Sequence, residues 1–269
     1  MSVVYRARHS LLRRRTAIKL LRPEAVTDVA LARFEREVQL ASSLTHPNTI
    51  DIFDFGKSSE GTFYCVMEFL DGQSLDEVVH SEGPLPPVRA VKILLQIANS
   101  LSEAHRRGLV HRDIKPSNVM ICEQGGIPDF VKVLDFGLAR NVEPADGQNV
   151  TKSGLVLGTP LYMAPERITD PTCVDQRSDI YSLGAVGHYL LTGKSIYDAG
   201  GLEQLVRQIL SAEPRRPSDV TDQEIPQELE GSIVGCLARD PRDRPATMQE
   251  LTATLAEIDA GLASDNSDA

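Results

Sequence analysis

LVHRDIKPSNVMICEQGGIPDFVKVLDFG, residues 109–137, is the stretch that organises this chain. It contains two short runs, HRDIKPSN from His111 to Asn118 and LDFG from Leu134 to Gly137. A polar segment separates them and leads into FVKVL (Phe130 to Leu134), whose alternation suits a β-strand. The runs carry carboxylates at Asp113 and Asp135, a carboxamide at Asn118 and an ammonium at Lys115. Carboxylate and amide oxygens are hard ligands of the kind Mg²⁺ accepts, and a carboxylate can also take or orient a hydroxyl proton. HRD or DFG alone arises easily by chance, and an isolated Asp is more often a solvated charge or a cap. Both runs together, with a strand entering the second, are much harder to obtain that way.

With these residues the chain resembles the eukaryotic-type protein kinases, in the serine/threonine branch, where a lysine sits two places after the aspartate. The resemblance implies an α+β, bilobal fold. A small antiparallel β-sheet lobe with one helix would occupy residues 1–69, a larger, mainly helical lobe residues 70–260, and a polar tail residues 261–269. It also implies roles. Asp113 would accept or orient the attacking hydroxyl, Lys115 would neutralise the moving phosphoryl group, and Asn118 and Asp135 would hold Mg²⁺ on ATP. His111 has no proton to carry in that scheme and reads as a packed structural group.

Outward from the core stretch, VVYRAR (3–8) and TAIKLL (16–21) read as two antiparallel strands around an arginine-rich turn. Lys19, flanked by apolar residues, would by itself be a snorkelling strand lysine. TAIK resembles the kinase VAIK run, which makes Lys19 the cation on the α- and β-phosphates. Residues 28–44 place Leu31, Phe34, Val38 and Ala41 on one helical face. Of the two carboxylates on that helix, the resemblance selects Glu37 to pair with Lys19, and Glu35 reads as a solvated charge. Residues 49–55 and 62–69 are two further strands. MEFLDG then resembles the kinase hinge, with Met67 as gatekeeper and the backbone of Glu68 to Leu70 on the adenine edge. Val4, Ala17 and Met120 would pack on the adenine faces, although ordinary core packing explains them equally well.

GPLPPVRAVKILLQIANSLSEAHRRG has prolines at its start, apolar residues at helical spacing and Gly108 as a stop, which predicts a buried helix delivering LVHRD. Residues 138–157 lack periodicity and read as a long loop, ending in GTPLYMAPE (158–166). That run resembles the end of a kinase activation segment, with Thr159 near Asp113 and Lys115. Thr151 and Ser153 fall where related bacterial kinases carry activating phosphates, and Arg112 is placed to pair with such a phosphate. DQRSDIYSLGAVGHYLLTG predicts a buried helix whose Asp179 either holds the HRD backbone or merely complements the helix N-terminus. Arg244 would pair with Glu166, and a last helix is expected over 247–258.

The resemblance departs at the start. Kinases open with a strand and a GxGxxGxV loop over the phosphates; here Ser2 falls on the third glycine and Val4 and Tyr5 on the loop's end. The implied sheet is one strand short, with an exposed edge that favours pairing with a partner, and the loss of one or two phosphate contacts would weaken ATP binding by about ten- to a thousandfold. Two readings follow: a recorded start downstream of the true one, or a truncated pseudokinase acting as a binding scaffold. The full set Lys19, Glu37, Asp113, Asn118 and Asp135 favours the first, because a binding relic has no chemical need for it.

The 269 residues suffice for one large domain or two lobes. A formal net charge of −10 argues against a nucleic-acid partner. No apolar run suits a membrane segment and no signal peptide is evident, so a cytoplasmic location is expected. Cys65, Cys122, Cys173 and Cys236 are scattered and read as buried thiols. The expected partners are protein substrates with Ser or Thr hydroxyls, and a second copy for trans-autophosphorylation.

Overall fold

The computed structural model describes residues 3–21, 28–59, 61–136, 160–170, 172 and 174–265. The expectations for Thr151, Ser153, Thr159 and Cys173 lie outside these residues.

β1 (Val3–Arg8) and β2 (Arg15–Leu21) form a hairpin in a four-stranded antiparallel sheet ordered β1-β2-β4-β3, with β3 (Ile52–Lys57) and β4 (Phe63–Glu68). Register places Lys19 between Val4 and Cys65, and Ala17 between Arg6 and Met67. Side chains alternate across a strand, so Ala17, Lys19, Cys65 and Met67 share one face. That face packs with Val38 of α1 (Asp28–Ser42), and with Ile50 and Leu134, in a small apolar cluster. Val38 and Ala41 are buried as the helical spacing requires.

A second, three-stranded sheet, β5 (Gly72–Ser74), β6 (Val119–Gln124) and β7 (Ile127–Val133), sits between the strands of the first sheet and the helices. The sequence reading found only the last part of it. Its signal was present, because Gly125 and Gly126 both take positive φ (61° and 80°), as a two-residue hairpin turn demands. Ser74 then caps α2 (Leu75–Glu82) in a capping box with Glu77.

The main core surrounds α3 (Pro87–Arg106) and α5 (Arg177–Thr192). Pro87 starts α3 where its missing N–H costs nothing, and Gly108 (φ 76°) turns the chain out of it. α5 is buried almost all round. A short α4 (Glu166–Thr169), α6 (Leu202–Ser211) and α7 (Gln227–Cys236) complete the helical lobe with α8 (Met248–Asp265). α8 runs seven residues past the expected end at 258, so residues 261–265 are helix rather than tail. Packing of α8 along α3, with Leu262 against the core, outweighs the weak helix preference of Gly261. Cys65, Cys122 and Cys236 are buried free thiols.

Candidate active site

The HRD loop is fixed from beneath. Asp179, near the start of α5 and fully buried, accepts hydrogen bonds from the backbone N–H of His111 and of Arg112, each at 2.8 Å. His105 Nε2 lies 2.8 Å from the same carboxylate. Burial pushes the Asp179 carboxyl up, but these partners outweigh it and hold it below the usual range. The role of loop anchor therefore prevails over simple complementation of a helix end.

Arg112 itself takes φ 65°, a left-handed conformation that L-residues hold only when the surroundings over-determine it. Its carbonyl accepts from the Arg167 guanidinium. Asp135 is also left-handed, with φ 57°. These two residues bracket the site.

His111 joins the two runs. Its Nε2–H donates to the Leu134 carbonyl at 2.7 Å, its Nδ1 accepts from the Asp113 N–H at 3.2 Å, and its ring packs on Phe136. With both nitrogens occupied and no exposure, it is a structural group, as expected. The Leu134 N–H returns a bond to the Asn118 carbonyl at 2.9 Å. Asp113 Oδ2 receives Lys115 Nζ at 2.8 Å and Asn118 Nδ2 at 3.0 Å. Asn118 Nδ2 also donates to the Asp113 carbonyl, which leaves its Oδ1 as the acceptor end.

Across the cleft, the Lys19 amine lies 2.6 Å from Asp135 Oδ2. Lys19 is 3% exposed, and its partner 27%. Lys19, Asp113, Lys115, Asn118 and Asp135, spread over more than a hundred residues of sequence, are thus linked by contacts into one site.

One expected pairing differs. Among the described residues Glu37 forms an ion pair with Arg112, its Oε1 lying 3.1 Å from Arg112 Nη1. Arg112 reaches across to α1, and the Asp135 carboxylate meets the buried Lys19 amine. Each charge takes the opposite charge that the backbone offers.

Met67 is buried at the end of β4, opposite Ala17. The Glu68 N–H is already bonded to the Asp51 carbonyl at 3.0 Å, so it is not free for an adenine edge. Val4 is exposed on β1. Leu70 and Met120, the latter on β6, are half-buried.

Lys132 escaped the sequence reading. It is buried in β7, donating to Glu68 Oε1 at 2.6 Å and to the Thr49 carbonyl at 3.2 Å. A lysine alternating with valines in VKVL was the signal available. Glu166 and Arg244 form the expected bidentate pair, both bonds at 2.8 Å.

Among the described residues no group of three or more His, Cys, Asp or Glu could hold a metal by itself. Asp135 and the Asn118 side-chain Oδ1 fit Mg²⁺, which binds through one or two protein oxygens and completes its shell with phosphate and water.

Comparison with known proteins agrees with this geometry. A family model described as the protein kinase domain matches residues 1–255. The chain is 38% identical over 266 residues to serine/threonine-protein kinase pkn3 of Myxococcus xanthus, covering 96% of this chain and 48% of that protein. It is 37% identical to PknB of Mycobacterium leprae, covering 97% and 41%. The chain thus spans about half the length of these curated relatives or less. Among solved structures, the kinase domain of Mycobacterium tuberculosis PknI superposes with a TM-score of 0.71 at 26% identity, covering 95% of this chain and 90% of that one. Rad53 in complex with AMP-PNP gives 0.76, also at 26% identity, covering 93% and 60%. A family model that spans nearly all of the sequence, relatives at this identity and a shared two-lobed structure place the chain in the protein kinase domain family.

Proposed function

We propose that this chain is a serine/threonine protein kinase catalytic domain that transfers the γ-phosphate of ATP to protein hydroxyls. The observation that carries the reading is Asp113, whose carboxylate is held by Lys115 and Asn118 beside the Lys19–Asp135 pair. Asp113 accepts or orients the attacking hydroxyl. Lys115 sits where it neutralises charge on the moving group, and Lys19 supplies a buried cation for the nucleotide phosphates. Mg²⁺, held by Asn118 and Asp135, would offset phosphate charge. Met67, Glu68, Leu70, Val4, Ala17 and Met120 form the proposed nucleotide wall, with the adenine amino group donating to the Glu68 carbonyl and the ring pairing with the backbone beyond it. Glu37 positions Lys19 once it leaves Arg112. Thr151 and Ser153 are the proposed autophosphorylation positions, and protein substrates and a second copy of the chain the partners.

The test offers radiolabelled ATP and Mg²⁺ to the chain, with a generic protein acceptor, beside an Asp113→Asn control. Labelling that falls by a factor of about 10² or more in the control is expected. Equal labelling in both removes catalysis by this site and leaves a binding role.

A further inference from the structure

The β1–β2 hairpin ends in an unusual tip. Leu11 and Leu12 are 86% and 65% exposed at its apex. Arg8, Arg13, Arg14 and Arg15 flank them and Arg6 lies further down β1 opposite Ala17, all exposed. The tip is a fixed shape: Arg13 N–H donates to the His9 carbonyl, His9 N–H to that of Arg14, and Leu12 N–H to His9 Nδ1. Arg14 stacks on Phe53, and Arg15 pairs with Asp71. Arg6 and Arg13 have no ion-pair partner among the described residues. Charge is distributed unevenly. Residues 1–22 hold seven arginines and lysines and no carboxylate, so the rest, with 21 cations and 38 carboxylates, carries a formal −17.

A complementary surface lies in the helical lobe. A groove of about 850 Å³ opens between the starts of α3 and α7 and the last turns of α8. Val88, Ile225 and Ile258 contribute its apolar floor, and Glu224, Glu228 and Glu257 lie along it. These three glutamates are exposed, and none has an ion-pair partner among the described residues. The hairpin contributes nothing to this groove within one chain.

We propose that the Leu11–Leu12 tip of one copy docks in the α3–α7–α8 groove of a second copy, the arginines facing the groove's glutamates. Leucines meet an apolar floor and cations meet carboxylates, so both halves of the contact are matched. The two surfaces differ, which makes the contact heterologous, head to tail, and able to extend beyond two copies. A tip of a few residues buries less than the roughly 800 Å² per partner of a stable interface, so the association is weak and sensitive to salt.

Sedimentation velocity of the chain tests this, alone and as two variants altered only at exposed positions: Leu11→Ser/Leu12→Ser and Glu228→Lys/Glu257→Lys. Circular dichroism melts confirm that each is folded. The unaltered chain is expected to associate as its concentration rises toward about 100 µM, with about tenfold weaker association between 0.05 and 0.5 M salt. Each variant alone stays monomeric. An equal mixture of the two forms a dimer and nothing larger, because one brings an intact groove and the other an intact tip. A monomeric unaltered chain, variants that associate as it does, or a mixture that stays monomeric each overturns the proposal. The chain has no tryptophan, so Leu11→Trp adds a single reporter. Its emission is expected to shift to the blue with rising protein concentration. A shift only on vesicles of phosphatidylcholine and phosphatidylserine overturns the proposal in favour of a membrane surface.

Discussion

Lys132, in the strand that enters the LDF run, places its amine 2.6 Å from Glu68 Oε1 at the end of β4, and so ties the segment between the lobes to the floor of the site. The pair is 4% and 19% exposed. Glu68 also accepts from the Asp51 N–H at 2.9 Å. Breaking a buried pair from one side leaves an uncompensated charge, whereas removing both charges does not. Lys132→Met is therefore expected to cost about 3 kcal/mol in urea unfolding, and Lys132→Met/Glu68→Gln to recover more than half of it. A double variant as unstable as the single one would show that the pair matters through shape, not charge.

The Lys19–Asp135 contact makes a catalytic prediction that rests on the proposed activity. Lys19→Met removes the buried phosphate cation and is expected to lower phosphate transfer by a factor on the order of 10²–10³, with the fold retained by circular dichroism. Transfer within tenfold of the unaltered chain would assign that work to another cation.

Glu166 contributes to stability in acid. Burial raises its carboxyl pKa, but the two bonds from Arg244 and one from Ser178 outweigh this and hold it low. Its folded value lies below its unfolded one, so its contribution is full above about pH 4.3 and is lost as pH falls through the folded value. Glu166→Gln should flatten that acid limb. At neutral pH it should also cost about 3 kcal/mol, because Arg244 is left buried without its charge partner. Denaturant titrations at several pH values measure both effects.

His188 acts in a higher window. It is fully buried in α5, and burial pushes its imidazole down to about 4 against the opposing hydrogen bond to the Lys194 carbonyl. Between about pH 6.5 and 4 the unfolded chain binds a proton that the folded one refuses, so stability is greatest above 6.5 and falls on acidification. The slope is about 1.4 kcal/mol per pH unit, levelling near pH 4. His188→Gln is expected to remove most of that slope and leave a smaller one from His46, whose imidazole is also pushed down by burial; an unchanged slope would assign it to other groups.

Gly72 tests the small sheet. A Cβ there would lie 2.2 Å from the Ile121 carbonyl oxygen, so β5 and β6 would have to separate. Gly72→Ala is expected to destabilise by about 2 kcal/mol, as overpacking does, and a melting temperature within a degree of the unaltered chain would contradict it.

Motif spacing and helical periodicity carried much of the reading, because both are local in sequence. HRDIKPSN and LDFG identified Asp113, Lys115, Asn118 and Asp135 by residue type and order, and the apolar rhythm of 87–106 and 177–192 marked the two central helices. The β6–β7 hairpin was equally legible from its Gly125–Gly126 turn, although it went unread. The extra turns of α8 were not, since they depend on packing against α3. Nor were the ion pairs. Whether Glu37 faces Lys19 or Arg112 depends on how α1, the HRD loop and β2 sit relative to one another, which is not local in sequence. Lys132 and Glu68 are 64 residues apart and meet only because the two sheets do. The sequence by itself determined which chemical groups this protein owns and where its two central helices run. Only the tertiary structure decided which charge meets which, because Coulomb pairing depends on distances between segments that no local pattern encodes.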